Sequence, residues 1–161
     1  MLSRHGVTGR GGRRGAVVLG AIGLSLVAAL PASANTSTAQ VAPHLLGFSV
    51  QSHSTYDRVI LDVSGIPGYT VAATDALTRA ASGKDVTLPN SNTYLDVDLS
   101  PADTVGFTGA TQVTTGFPEV AAVAQMGTFE GHVQLGIGLS HAAGYTVTVL
   151  SPTELAIDVA H

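Results

Sequence analysis

From Leu46 onward, apolar and polar residues alternate with a period of two almost wherever they show a period at all. Leu95, Val97 and Leu99 alternate with Asp96, Asp98 and Ser100; Tyr145, Val147 and Val149 with Thr146 and Thr148; Leu155, Ile157 and Val159 with Glu154, Ala156 and Asp158. Successive side chains of a strand point to opposite faces, so each run predicts a strand with one face on a core and one in water. Residues 46–50 open the series in the same way, and residues 120–129 read as a further strand whose alanines also suit a short helix. The strongest pattern is a stretch of 13 residues that occurs twice, 76 positions apart and without a gap: VILDVSGIPGYTV at 59–71 and LGIGLSHAAGYTV at 135–147. Val59, Leu61 and Val63 match Leu135, Ile137 and Leu139, and each run passes through a small-residue turn into Gly-Tyr-Thr-Val. This duplication predicts two similar sheets packed face to face, with residues 59–63 and 135–139 at corresponding places and Tyr69 and Tyr145 both turned inward.

Turn signals separate the runs: Ser64-Gly65 with Pro67-Gly68, Ser82-Gly83-Lys84, Pro89-Asn90, Gly116 with Pro118, Glu130-Gly131 and Ser151-Pro152. No ten-residue stretch carries a helical stripe with caps. The expected fold is all-β: a β-sandwich of two related antiparallel sheets, with a squat barrel as the alternative. Residues 104–116 are rich in Thr and Gly and lack sustained alternation, which predicts a long surface connection.

Ahead of this domain the chain has the tripartite form of an export signal. Arg4, Arg10, Arg13 and Arg14 form a basic leader, residues 16–30 are an uncharged run of 15, and Ala32-Ser33-Ala34 offers small residues to a peptidase. A membrane span needs about 20 apolar residues, so the run reads as a signal and not an anchor. The expected organisation is a signal peptide at 1–34 cleaved near Ala34, a flexible linker at 35–44, and a β domain at 45–161, with the mature form secreted or in the cell envelope and without a membrane span. The absence of cysteine excludes a lipid-modified cysteine anchor and a disulfide framework. Cleavage also changes the charge. Four of the 7 basic residues lie in the leader, which leaves Arg58, Arg79 and Lys84 against 11 acids, a net −8. Such a surface has no counterion-release route to nucleic acid and is repelled by anionic polymers, so a ligand is expected to be neutral, cationic or held by hydrogen bonds.

Few patterns carry catalytic chemistry. There is no Gly-x-Ser-x-Gly elbow for a Ser-His-Asp hydrolase, and no His-Glu-x-x-His. The histidines at 53, 132, 141 and 161 are scattered, and Glu130 shares a strand face with His132 only if the turn at Gly131 does not intervene. Asp96 and Asp98 lie about 7 Å apart on one strand face, a spacing compatible with paired carboxylates but more simply the wet side of a strand. Gly136-Ile137-Gly138 sits inside a strand and precedes no helix, so it is no phosphate loop. No catalytic residue, metal ligand or cofactor is assigned. Polar, aromatic and charged groups concentrate in His53-Ser54-Thr55-Tyr56-Asp57-Arg58, where a ring can stack on a ligand while Asp57 accepts and Arg58 donates. The structural alternative is a sheet-end brace in which Arg58 pairs with Asp158 or Glu130.

Three blocks, HSTYDRVILDVSGIPGYTV at 53–71, Thr128-Phe129-Glu130-Gly131, and LSPTELAIDVAH at 150–161, together resemble the AMIN-like domain of secreted and lipid-anchored actinobacterial proteins. More remotely the pattern is similar to the AMIN domain of cell-wall amidases and secretins. The resemblance implies a non-enzymatic domain that contacts peptidoglycan or another cell-wall component, or else an envelope protein. The expected ligand-binding set is His53, Tyr56, Asp57, Arg58, Glu130 and Asp158, of which Tyr56-Asp57-Arg58 and Asp158 match the family pattern residue by residue. A protein–protein interaction module of the envelope and a carboxylate-dependent hydrolase are the alternatives. The chain departs from the family pattern at Thr153-Glu154, where related domains carry an arginine after the proline.

Overall fold

The structure, a computed structural model, describes residues 41–161. The strands are β1 (Leu45–Ser52), β2 (Tyr56–Val63), β3 (Tyr69–Thr74), β4 (Leu77–Thr78), β5 (Asp85–Val86), β6 (Thr93–Leu99), β7 (Gln112–Thr114), β8 (Val120–Phe129), β9 (His132–Leu139), β10 (Tyr145–Ser151) and β11 (Glu154–Ala160). They form a four-stranded sheet in the order β1-β2-β11-β10, a five-stranded sheet in the order β3-β6-β9-β8-β7, and the small ribbon β4-β5. Every pairing between these strands is antiparallel. Both larger sheets end in edge strands, so the architecture is a sandwich and the barrel alternative is set aside. The alanine-rich segment at 120–129 is strand β8, and the connection at 104–116 is irregular apart from the three residues of β7.

The 76-residue repeat is a repeat of topology. Tyr56 and His132 open β2 and β9, and Tyr69 and Tyr145 open β3 and β10, both pairs 76 positions apart. In each half a hairpin (β1-β2 or β8-β9) lies in one sheet, and the chain then crosses to the edge of the other. There β3 pairs with β6 and β10 pairs with β11. Those incoming ribbons complete the sheets by pairing β6 with β9 and β11 with β2. Each sheet is therefore built from the first hairpin of one half and the last two strands of the other.

The core lies between the sheets, where the strand period puts Val59, Leu61 and Val63 against Leu95, Val97, Leu99, Val133, Leu135, Ile137, Leu139, Leu155, Ile157 and Val159, all fully buried or nearly so. Tyr145 packs on this core and its hydroxyl donates to the Val71 carbonyl at 2.8 Å. Its counterpart does not follow. Tyr69 opens the edge strand β3 and is 40% exposed, which corrects the expectation that both tyrosines turn inward.

A smaller second core covers part of the outer face of the five-stranded sheet. Leu77 and Leu88, from the excursion that carries β4 and β5, lie on Tyr94, Ala122, Ala124 and Met126. This layer explains the glycines of β9. A Cβ at Gly136 would stand 2.5 Å from Leu77 Cδ1 and 2.9 Å from Met126 Sδ, and one at Gly138 would stand 2.8 Å from Ser91 Cβ and 3.2 Å from Leu88 Cβ. Gly138→Ala is thus expected to lower stability by about 1–3 kcal/mol, the usual cost of overpacking. Urea unfolding gives the loss, and hydrogen exchange should show the largest drop in protection in the excursion at 75–92.

Candidate functional site

Two outer faces carry polar and aromatic groups. On the four-stranded sheet, β2 alternates Tyr56, Arg58, Ile60 and Asp62 outward with Asp57, Val59, Leu61 and Val63 inward. Arg58 lies directly across from Asp158 on β11 and grips it with two bonds, Nε to Oδ1 at 2.6 Å and Nη2 to Oδ2 at 2.7 Å. This bidentate pair raises the Arg58 pKa above its ordinary value. The guanidinium also lies over the Tyr56 ring, 5.2 Å from its centroid, while His53 stacks with the same ring at 4.5 Å and 22°. His53 and the Arg58 guanidinium thus both pack on the Tyr56 ring. A shallow groove beside it is lined by Thr55, Tyr56, Gly144, Tyr145, Thr146, Asp158 and Ala160.

Asp57 does not belong to this surface. It faces inward and is fully buried. Oδ2 accepts from the backbone N–H groups of Glu119 (2.8 Å) and Val120 (2.9 Å), and Oδ1 accepts from the Ser52 hydroxyl (2.7 Å) and His161 Nε2 (3.0 Å). Burial by itself would raise its pKa. The bonds from Val120, Ser52, Glu119 and His161 outweigh that and hold the carboxyl below the usual carboxylate range. The carboxylate ties one sheet to the first residue of β8 in the other and lies apart from the surface on which a ligand acceptor was expected. Ser52 and His161 share one carboxylate oxygen, which puts the acid between hydroxyl and imidazole, the wrong order for a nucleophile and its base.

Glu130 is also apart from the set. It lies in the β8–β9 turn with φ 49°, followed by Gly131 at φ 80°, outside the strand that carries His132. Asp57 bonds the first residue of β8, whereas Glu130 follows the last. The ten residues of β8 put about 30 Å between them.

The end of the molecule that carries Glu130 holds the second face. The layer over Gly136 and Gly138 leaves the rest of the outer face of the five-stranded sheet uncovered, as a groove lined by Ala80, Asp96, Asp98, Phe129, Glu130, His132 and Gln134. It continues on one side past Arg79, Ala81 and Thr128 and on the other towards Thr70 and Ser100. Its walls are pinned. The Gln134 side chain donates to the Thr78 carbonyl (2.9 Å) and Asp96 (3.1 Å) and accepts from the Ala80 N–H (2.9 Å), and Arg79 donates to the Met126 carbonyl. His132 Nδ1 stands 2.8 Å from Asp98 Oδ2, and Ser100 Oγ is 3.4 Å from Nε2. Phe129, directly across the turn from His132, is 45% exposed. The period of β6 points Asp96 and Asp98 to one face. Only the pairing of β6 with β9 brings His132 and Gln134 beside them, and no signal in the sequence states that pairing.

No curated protein and no solved structure matches the chain. A family model, the AMIN-like domain, matches residues 43–161, which spans every strand described above and begins two residues ahead of the domain boundary expected from the sequence. The chain belongs to the AMIN-like domain family.

Proposed function

We propose that the chain is an exported, non-catalytic, envelope-binding domain that holds peptidoglycan or another cell-wall glycan in the groove on the outer face of the five-stranded sheet. Family membership supports an envelope-related binding role, and no helix among the described residues is long and apolar enough to cross a membrane. The observation that carries the choice of groove is the half-exposed Phe129 ring beside Asp98, His132 and Gln134. A sugar ring has an apolar face and a rim of hydroxyls, so it needs an aromatic platform flanked by planar donors and acceptors held in place. The stack of His53, Tyr56 and Arg58 on Asp158 satisfies itself and braces the other sheet. The expected charge of the mature form disfavours anionic wall polymers as ligands. Sedimentation with purified peptidoglycan tests the reading. Phe129→Ala and Asp98→Asn are expected to weaken retention about tenfold, roughly 1.4 kcal/mol, while Tyr56→Ala leaves it unchanged. Retention that survives both groove substitutions would overturn it.

One observation favours a second reading. Ser100, His132 and Asp98 stand in the order of nucleophile, base and orienting acid, which suits attack of the serine hydroxyl on an acyl group. The 3.4 Å Ser100–His132 separation is long for an O–H···N bond, which is why binding is preferred. A fluorophosphonate that labels the protein, with labelling lost in Ser100→Ala, would replace the binding reading with a hydrolase.

A further inference from the structure

The two halves of the sandwich differ at their crossover edges. Just ahead of β3 the Gly68 carbonyl accepts from the Ser100 N–H, and just ahead of β10 the Gly144 carbonyl accepts from the Ala160 N–H. The alternation of antiparallel bonds then turns the N–H and C=O of Tyr69, Val71 and Ala73, and of Tyr145, Val147 and Val149, away from the neighbouring strand. On β3 the central outward carbonyl, that of Val71, is capped by the Tyr145 hydroxyl. The repeat would have Tyr69 cap the carbonyl of Val147 in return. Tyr69 is exposed instead, and among the described residues no side chain bonds an outward group of β10.

The other edges are blunted. At β1 the Leu46 carbonyl is taken by Thr108 N–H and Phe107 packs on Phe48, and β7 is only three residues long. On β10 no charge occurs between His141 and Glu154, in a chain whose acids outnumber its bases, and Val149 and Leu150 are 46% and 41% exposed. Natural sheet edges carry Lys, Pro, bulges or a cover to prevent pairing. Here the one such device, the bulge between Val149 and Ser151, lies at the far end and leaves residues 145–149 straight.

The geometry points to self-association through β10, in which a second copy of the chain adds its own β10 antiparallel about a two-fold axis at Val147. An odd, uncharged run with an apolar residue at every outward-bonding position is complementary to itself. Tyr145 meets Val149 of the second copy, Val147 meets Val147, and about six backbone bonds close the seam. On the solvent face Thr146 comes to lie across from Thr148. The two four-stranded sheets become one continuous sheet, and the glycan groove on the other sheet stays open. The inference is independent of the glycan reading. The acids elsewhere repel, so the dimer tightens as salt rises.

Sedimentation velocity of the full chain across concentration and salt, with amide hydrogen exchange, tests the seam. Val149→Pro removes a partner-facing donor without touching the ladder to β11, and Thr148→Glu places an acid across the axis beside Asp158. Each is expected to weaken dimerisation roughly tenfold or more while leaving the unfolding midpoint of the dilute monomer in place, and adding Thr146→Lys to Thr148→Glu should restore dimerisation. The Tyr145, Val147 and Val149 amides should gain protection with concentration. A chain that stays monomeric, a dimer in which these amides exchange freely, or protection that appears only when a foreign strand is added would each overturn the proposal.

Discussion

Asp57→Ala is expected to cost about 3–5 kcal/mol, more than any other polar substitution in the chain, because the loss falls on groups that have no other partner. The carboxylate is fully buried and answers the N–H groups of Glu119 and Val120, the Ser52 hydroxyl and the His161 ring. Its removal leaves the entry to β8 with buried donors and separates the two sheets at one end. Asp57→Asn keeps the shape but turns an amide NH2 towards donors on one side or the other, so it should recover only part of the loss. Equilibrium unfolding in urea measures both. A loss below about 1 kcal/mol for the alanine variant would mean that water reaches the site and that the bonds contribute little.

The same group fixes a pH dependence. The folded Asp57 pKa lies below its unfolded value, so the bonds stabilise the fold fully above the unfolded carboxylate pKa of about 3.9, and that stabilisation is lost as pH falls through the folded value. Wild-type stability should therefore fall on the acid side of about pH 4, and the slope there should be reduced in Asp57→Asn, which carries no titrating proton. Asp103, lowered by the Val105 N–H and by His44, adds in the same direction, so the variant keeps part of the slope.

Sequence reading reached the strands and failed where a residue's role depends on which strands meet. Val59, Leu61 and Val63 state their inward face by their period, and the repeat at 135–139 states a second sheet. Asp57 has the same parity as those valines and leucine, so its inward direction was legible. Its charge points instead to the polar cluster at 53–58, because nothing in the chain marks the Glu119 and Val120 amides as its partners. That Arg58 pairs with an acid was legible, with Asp158 and Glu130 as the candidates, and the β2–β11 register selects Asp158 by placing it opposite. The groove was not legible. In the sequence Asp96 and Asp98 read as the wet side of a strand, and Gly136-Ile137-Gly138 reads only as the inside of one. Their meaning depends on an excursion that presses Leu77 and Leu88 onto the glycines and stops short of the acids.

Leu61→Ala and Ile137→Ala are expected to cost about 2–5 kcal/mol each, the range for deleting a fully buried aliphatic side chain when its surroundings relax only partly. The two residues are equivalents, 76 positions apart, one at the centre of each sheet's inner face. Two independent half-domains would respond separately, with either substitution melting its own half first. The strand exchange rules that out, because β11 from the second half pairs with β2, and β6 from the first half pairs with β9. Removing either half leaves the other with two unpaired ribbons, so both substitutions should shift one cooperative transition. Its midpoint in urea should fall while the slope with denaturant stays at the wild-type value. Circular dichroism and tyrosine fluorescence should trace coincident curves for both variants. A biphasic transition in either one would show that a half folds alone and that the exchanged strands are not what holds the sandwich together.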